Sequence, residues 1–436
     1  MTGPASGERL ARAVLSHVAD PGDLALGALL RRCRPVEIVA ALAAGRHPLS
    51  GLQGDPGGLP QVDAPPDPGD PREPAGLWEI EGWREAGGRR EAGRPRESGQ
   101  RAAGGPGRSG IRGLDRALQR WAARMDQAPT VARLAEWHQD GLRLICPGDS
   151  EWPTQLDALG DASPVALWLR GSADLRFACL RSVSVVGARA ATAYGSHVGT
   201  EMAAALAERG WAVVSGGAFG IDGSAHRGAL AADGVTVAVL ASGLSYGYPK
   251  GHFELFEAIA AQGVLVSEMP PDRRPTRPGF LIRNRVIAAL SRGTVVIEAA
   301  LRSGTFSTAS RARDLCRPLM AVPGPVTSAL SAGCHELIRE WGAVLVTGAQ
   351  DVLEHVSPVG QELGGTRRGP AVPRDDLDPV TRAVLEAVPA RGGSGPASIA
   401  VSAGVGLDTA IRCLGSLAAA GFVERSDKGW RARKDR

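Results

Sequence analysis

From Ser182 onward the chain alternates short apolar runs with longer amphipathic stretches. The runs are 182–188 (SVSVVGA), 211–217 (WAVVSGG), 235–243 (VTVAVLASG), 264–269 (VLVSEM), 294–300 (TVVIEAA), 319–324 (LMAVPG) and 344–347 (VLVT). Each is rich in β-branched residues and apolar at successive positions, which predicts strands covered on both faces. The stretches between them, such as GTEMAAALAERG, FELFEAIAAQG, RVIAALS and CHELIREWG, have helical period, and several close on glycine. Buried strands alternating with helices predict a doubly wound α/β domain built on a parallel sheet.

Upstream, residues 8–45 break into short helical patterns at Asp-Pro-Gly and Arg-Pro, which predicts a small helical N-terminal module over 1–45. Residues 46–112 are rich in Pro, Gly, Arg and Glu and poor in apolar side chains. Such a segment buries too little to offset its chain entropy and is expected to be a disordered insertion. Helical period returns in GLDRALQRWAARM and TVARLAEWHQDGL. A short strand, LRLICP, then leads into the α/β domain, bounded here as 113–348 with its helical lead-in. A polar connector over 349–376 precedes residues 377–436, where three helical patterns and a strand-turn-strand signal have the layout of a winged helix.

Composition narrows the function classes. At 436 residues, 43% hydrophobic and 22% charged, the chain suits a globular protein of two or three domains. It has no apolar run near the roughly 20 residues of a membrane span and no secretory pattern at its start, so no membrane association and a cytoplasmic location are expected. Six cysteines without C-x-x-C spacing argue against a disulfide framework and a zinc site, and no metal site is expected. The net charge of +4 is only mildly basic. Placement of the cations is more telling, because Lys250 is the only lysine before Lys428.

In an open parallel sheet, ligands bind beyond the carboxyl ends of the strands. Four loops stand out there. VVGARAATAYG presents Gly187 and Arg189 ahead of a helix start, where N–H groups and a guanidinium together suit a phosphate. SGGAFGIDGSAHRGAL sets Gly216, Gly217 and Gly220 before Asp222 and His226. ASGLSYGYPKGHFEL carries Tyr246, Tyr248 and Lys250, and the stretch after VLVSEM brings Phe280, Arg283, Asn284 and Arg285 to a helix start. Cations and aromatics are thus expected to converge on one rim. No G-x-x-x-x-G-K-[ST] is present, and neither GARAAT nor GGAFG at the strand ends gives G-x-G-x-x-G, so nucleotide hydrolysis and dinucleotide binding have no visible machinery at these loops. Asp222 and His226 read as supports of the glycine loop, and Glu268 and Glu298 as residues that order neighbouring arginines.

Taken in order, VGARAATAYG, SGGAFGIDGSAHRGAL, TVAVLASGLSYGYPKGH, SEMPP with RNRVIAALS, VVIEAALRSGTFSTA, AVPGPV and SAGCHELIREWGA resemble the DprA (Smf) family of DNA-processing proteins, across about residues 143–350. The resemblance implies a Rossmann-like domain and an N-terminal module of helix-hairpin-helix or SAM-like type. It also implies binding of single-stranded DNA without catalysis or cofactor, loading of RecA in transformation and recombination, a homodimer, and single-stranded DNA-binding protein as a further partner. Carried over by position, Arg189 and Lys250 would hold backbone phosphates. Gly187, Ser215, Gly216 and Gly217 would allow close backbone approach, Phe280 would stack on a base, and Phe219, Arg283, Asn284 and Arg285 would line the pocket. The chain departs from the family pattern at Leu281, where a proline is usual, at His252, where asparagine is common, and in the insertion at 46–112. The winged helix offers Arg412 as the only basic residue of the helix expected to serve for recognition, LDTAIRCLGSLAAAGFV, which favours a protein-interaction role over sequence-specific duplex reading. Two other readings stay open at this point. One is a phosphoribohydrolase of related fold, although LRSGTFSTAS lacks the paired glycines and glutamate of P-G-G-x-G-T-x-x-E. The other is a winged-helix transcription regulator.

Overall fold

The computed structural model describes residues 4–49, 108–358 and 373–433. Contacts divide the chain into two compact units, Met1–Leu363 and Gly364–Arg436. Most of the insertion placed at 46–112 and much of the connector placed at 349–376 lie outside the described residues.

The first unit opens with helices α1 (Pro4–Val18), α2 (Leu24–Leu30) and α3 (Pro35–Ala43), followed by α4 (Arg108–Ala122) and α5 (Val131–Gln139). Asp23 caps α2, its carboxylate accepting from the Ala25 N–H at 2.9 Å. Helix α4 does not lead into the sheet domain as the sequence suggests. Its Leu114, Ala117 and Trp121 share a core with Leu15, Leu29 and Ile38, so α1–α4 form one helical module interrupted by the insertion.

The sheet domain then runs β1 (Arg143–Ile145), β2 (Leu167–Gly171), α6 (Leu175–Leu180), β3 (Ser182–Val186), α7 (Ala193–Ala207), β4 (Ala212–Ser215), α8 (Ile221–Ala231), β5 (Thr236–Leu240), α9 (Phe253–Gln262), β6 (Val264–Ser267), α10 (Arg277–Leu290), β7 (Thr294–Val296), α11 (Thr305–Asp314), β8 (Leu319–Ala321), α12 (Ala332–Trp341), β9 (Val344–Leu345) and α13 (Ala349–Val356). Its nine strands are ordered β1-β2-β6-β5-β4-β3-β7-β8-β9. Strands β3 to β9 are parallel, whereas β1 pairs antiparallel with β2, and β2 with β6. The expected parallel sheet is therefore mixed at one edge. Strand β2, LWLRG, went unanticipated because it follows a stretch punctuated by Pro and Gly.

Alternate residues of β3 feed opposite layers. Val183 and Val185 pack with Met202 and Leu206 of α7 and Ile221 of α8, while Val186 packs with Ile287 and Leu290 of α10. From β3 the chain builds outward through β4, β5 and β6, then returns over one face through α10 to β7 on the other side of β3. The strand order reverses between β3 and β7, the place where open α/β sheets leave a crevice beyond the strand ends.

The second unit contains α14 (Pro379–Glu386), α15 (Pro396–Ala403), α16 (Leu407–Ala419) and an antiparallel hairpin of β10 (Val423–Ser426) and β11 (Gly429–Ala432). Val384, Ile399, Leu414 and Leu417 form its core, and Ser394 bridges to Trp430 beside the hairpin. Arg412 is exposed on α16 beside Ile411, itself 49% exposed. Among the described residues, no single helix is long and apolar enough to cross a membrane.

Helices α7 and α8 approach closely because Gly228 leaves its Cβ position to the Thr200 carbonyl. Gly228→Ala forces the two backbones apart, and a destabilisation of about 1–3 kcal/mol is expected. A lower urea midpoint at unchanged m-value is the measurement that checks it.

Candidate nucleic-acid interface

Helix α10 governs the geometry at the carboxyl ends of the strands. The last four carbonyls of a helix lack internal partners. Here the serines of β3 meet two of them, Ser182 Oγ donating to Leu290 O at 3.1 Å and Ser184 Oγ to Ile287 O at 3.0 Å. Midway along α10, the buried Arg283 donates through Nη1 to Gly216 O at 2.7 Å and also to Val239 O, locking the helix to the ends of β4 and β5. At its start, Thr276 accepts from the Gly279 N–H at 3.2 Å.

Asp222, in the first turn of α8, supplies the opposite charge. Its Oδ2 accepts from the N–H groups of Gly216 at 3.2 Å and Ala218 at 3.4 Å. Burial pushes the Asp222 carboxyl up, and the Arg283 guanidinium is the first influence opposing that rise. Burial in turn lowers Arg283 to about 10. The glycine loop is therefore no empty phosphate cradle, since the protein's own carboxylate already occupies two of its donors. Gly216 is required because a Cβ would overlap the Arg283 guanidinium, and Gly220 because its φ is +76° and it abuts the Ala188 and Arg189 carbonyls. Gly187 and Gly217 likewise abut protein, Ile221 in the first case and Leu240 with Phe256 in the second. Ser215 is fully buried and spends its hydroxyl on Val185 O at 2.6 Å.

Above this buried knot lies an exposed rim. The guanidinium carbon of Arg189, in the loop after β3, sits 4.6 Å from the centroid of the Phe280 ring, and Tyr248 meets Phe280 edge-on at 5.8 Å. Two residues beyond Tyr248, across a cis bond to Pro249, Lys250 is exposed. His252 ties this loop to the glycine loop, its Nδ1 donating to Gly217 O at 3.1 Å, and Phe219 rests edge-on against His252 at 4.6 Å. The structure therefore gathers Arg189, Phe280 and Tyr248 into one cluster, and Phe219 with the Lys250 loop into another.

Three further cations went unremarked in the sequence. Arg274 lies over Tyr246 at 5.9 Å, and Arg277 and Arg227 are exposed at the starts of α10 and in α8. Arg189, Arg227, Lys250, Arg274 and Arg277 make no ion pair among the described residues, while the acids Glu254 and Asp272 share the same loops. The signal was legible in PPDRRPTRPGF, which packs three arginines ahead of Phe280.

Several expectations need correction. Arg285 does not line this rim. It is 5% exposed and paired with the equally buried Glu268 at 2.7 Å, and Glu268 also accepts from the Gly22 N–H of the helical module at 3.1 Å. Residues two apart on a helix point about 200° apart, so Arg283 and Arg285 face different surroundings. Arg283 is itself 8% exposed and serves as a strut beneath the rim, and Asn284 is buried beside it. Glu268 orders an arginine as expected. Glu298 instead orders the loop after β3, accepting from Thr192 N–H at 2.9 Å and Thr192 Oγ1 at 2.6 Å. Among the described residues there is no cluster of His, Cys, Asp or Glu suited to a metal ion.

His226 is fully buried, and its Nδ1 donates to Thr236 Oγ1 at 2.8 Å while that hydroxyl donates to Val213 O at 2.8 Å. Burial lowers its pKa from 6.5 to about 3. An unfolded chain then binds one more proton than the folded one between about pH 6.5 and 3, so stability falls as pH falls through that window. The expected slope is up to about 1.4 kcal/mol per pH unit from this residue. Urea midpoints at pH 7 and pH 5 check it, and His226→Gln should flatten the slope, leaving the smaller parts contributed by the burial-lowered His17 and His252.

Comparison with known proteins places this geometry in a family. Residues 143–357 match the family described as DNA recombination-mediator protein A. The putative DNA processing protein DprA of Mycobacterium tuberculosis is 49% identical over 301 residues, 67% of this chain and 77% of that one. Protein Smf of Escherichia coli K12 is 42% identical over 222 residues, 50% of this chain and 58% of that one. The X-ray structure of DNA processing protein A from Streptococcus pneumoniae superposes with a TM-score of 0.50 at 37% identity, covering 55% of this chain and 82% of that chain. The matches run through the strand-end loops that carry Arg189, Lys250 and Phe280, and this chain belongs to the DprA/Smf family of DNA-processing proteins.

Proposed function

We propose that the rim beyond the strand ends binds single-stranded DNA and that the protein acts in recombination as a mediator rather than as an enzyme. The observation that carries this reading is the Arg189 guanidinium lying 4.6 Å over the Phe280 ring beside the β3/β7 crevice. A cation over an aromatic face offers a phosphate contact and a stacking surface together, the two elements of sequence-tolerant strand binding. In a duplex the bases already stack on one another and present no free face, so the same pair favours single strands. Lys250 extends the positive path, and Arg274 and Arg277 add to it.

The non-enzymatic reading is supported by what Asp222 and His226 are doing. One carboxylate is committed to the glycine loop and the imidazole to Thr236, both buried, so neither meets a substrate as acid or base. Loading of RecA, displacement of single-stranded DNA-binding protein, a homodimeric state and a cytoplasmic location follow from membership of the family and belong to the same proposal. The C-terminal unit of three helices and a hairpin, read as a winged helix and with Arg412 exposed on α16 beside the exposed Ile411, belongs to the proposal as a surface for protein contacts.

In anisotropy titrations the full chain should bind oligo(dT) more tightly than duplex of equal length. Arg189→Ala should weaken it about 10- to 100-fold near 0.1 M salt and reduce the salt slope by about 0.7. Equal affinity of wild type and variant would remove Arg189 from the site. Added to RecA and strands coated with single-stranded DNA-binding protein, the wild type should shorten the lag before RecA hydrolyses ATP. An unaltered lag would confine the function to DNA binding, and release of free base from nucleoside monophosphates would overturn the non-enzymatic reading.

A further inference from the structure

Seven phenylalanines and three tyrosines are spread over 436 residues, yet Tyr194, Tyr246, Tyr248, Phe219, Phe253 and Phe280 all lie in loops or helix starts at the carboxyl ends of the strands. Core packing does not account for them. Phe219 is 50% exposed, Phe253 66% and Tyr194 38%. An exposed benzyl side chain at the tip of a glycine loop costs apolar hydration, and the adjoining glycines give it no packing partner of their own.

Phe219 is nevertheless held in place. One side of its ring rests on Gly251, where even a Cβ would come within 3.1 Å of Cζ, and its edge is fixed by His252 at an interplanar angle of 69°. His252 is anchored in turn to Gly217 O and packs against Phe256. The ring is therefore supported from beneath by the residues that follow Lys250, with half its surface open. Lys250 immediately precedes these supports, exposed and without an ion pair among the described residues, so an aromatic plate again has a cation in the adjoining loop, as Phe280 has Arg189. The two plates are joined by a single five-residue segment, because Tyr248 touches Phe280 while Gly251 and His252 touch Phe219.

Resting on the single-stranded DNA reading above, we infer that Phe219 is a second base platform, paired with Lys250, so that the site takes two splayed nucleotides of one strand across the Tyr248–His252 segment. Phe280 receives one base and Phe219 another, and Arg189 and Lys250 hold the phosphates that flank them. His252 acts as the positioning residue for the second plate.

The test uses the full chain and dT12 oligonucleotides carrying an abasic residue at successive positions, read by competition anisotropy. Wild type should lose affinity at two separate abasic positions, and Phe219→Leu at only one of them. On intact dT12, Phe219→Leu should bind about 5- to 150-fold more weakly with an unchanged salt slope, since no phosphate contact is lost, whereas Phe219→Tyr should bind as wild type. Lys250→Ala should lower the slope by about 0.7. Phe219→Leu with wild-type affinity and a wild-type abasic profile would overturn the second platform and leave the single-stranded DNA reading standing. Failure of wild type itself to bind dT12 would overturn that reading first.

Discussion

One buried contact organises the functional end of the molecule, the Arg283 guanidinium held between Gly216 O, Val239 O and the charge of Asp222. It joins three elements that are distant in sequence: α10, the ends of β4 and β5, and the start of α8. An unpaired charge at such a site would cost several kcal/mol, so each partner enforces the others. Gly216 must be glycine because the guanidinium fills its Cβ position, and Asp222 must face the loop because its charge is what offsets the burial of Arg283, an offset that Arg189 opposes. With α10 fixed there and by the serines of β3, Phe280 is carried to the crevice at the strand ends, where Arg189 meets it.

A large part of this was legible in the chain. All seven apolar runs contain one of the strands β3–β9, because parallel strands covered on both faces leave an unbroken apolar signature. The runs overshoot the strands. Run 182–188 outlasts β3, which ends at Val186, because the chain stays buried after its last ladder bond and Ala188 is only 7% exposed. Hydrophobicity reports burial, and pairing ends sooner. Strand β2 was hidden for the converse reason, being a five-residue antiparallel element, one in from the edge strand β1, behind a turn-rich approach.

The site was legible in its loops and less so in its side-chain directions. Arg189, Lys250 and Phe280 stand where the strand-end rule puts them, exposed or half-exposed on the rim. Arg285 was grouped with Arg283 by proximity in sequence, although helical geometry sets them on different sides. Its actual partners, Glu268 and Gly22, are 17 and 263 residues away, and no local pattern announces a contact of the second kind. The helical module was misjudged similarly. Trp121 packs with helices that precede a long insertion, and the break in composition conceals the continuity of that core.

The same geometry decides what kind of anion this end of the sheet can receive. Where a glycine loop points free N–H groups at a helix start, a phosphate can sit deep against the backbone and be handled as a reacting group. Here Asp222 has taken that position, and a phosphate approaching it would meet a carboxylate. Anions are left the outer rim, where Arg189, Lys250, Arg274 and Arg277 are exposed and make no ion pair among the described residues. Cations on flexible stems beside open aromatic faces suit a polymer whose phosphates and bases alternate, and the closed inner loop supplies the rigid floor on which both are displayed.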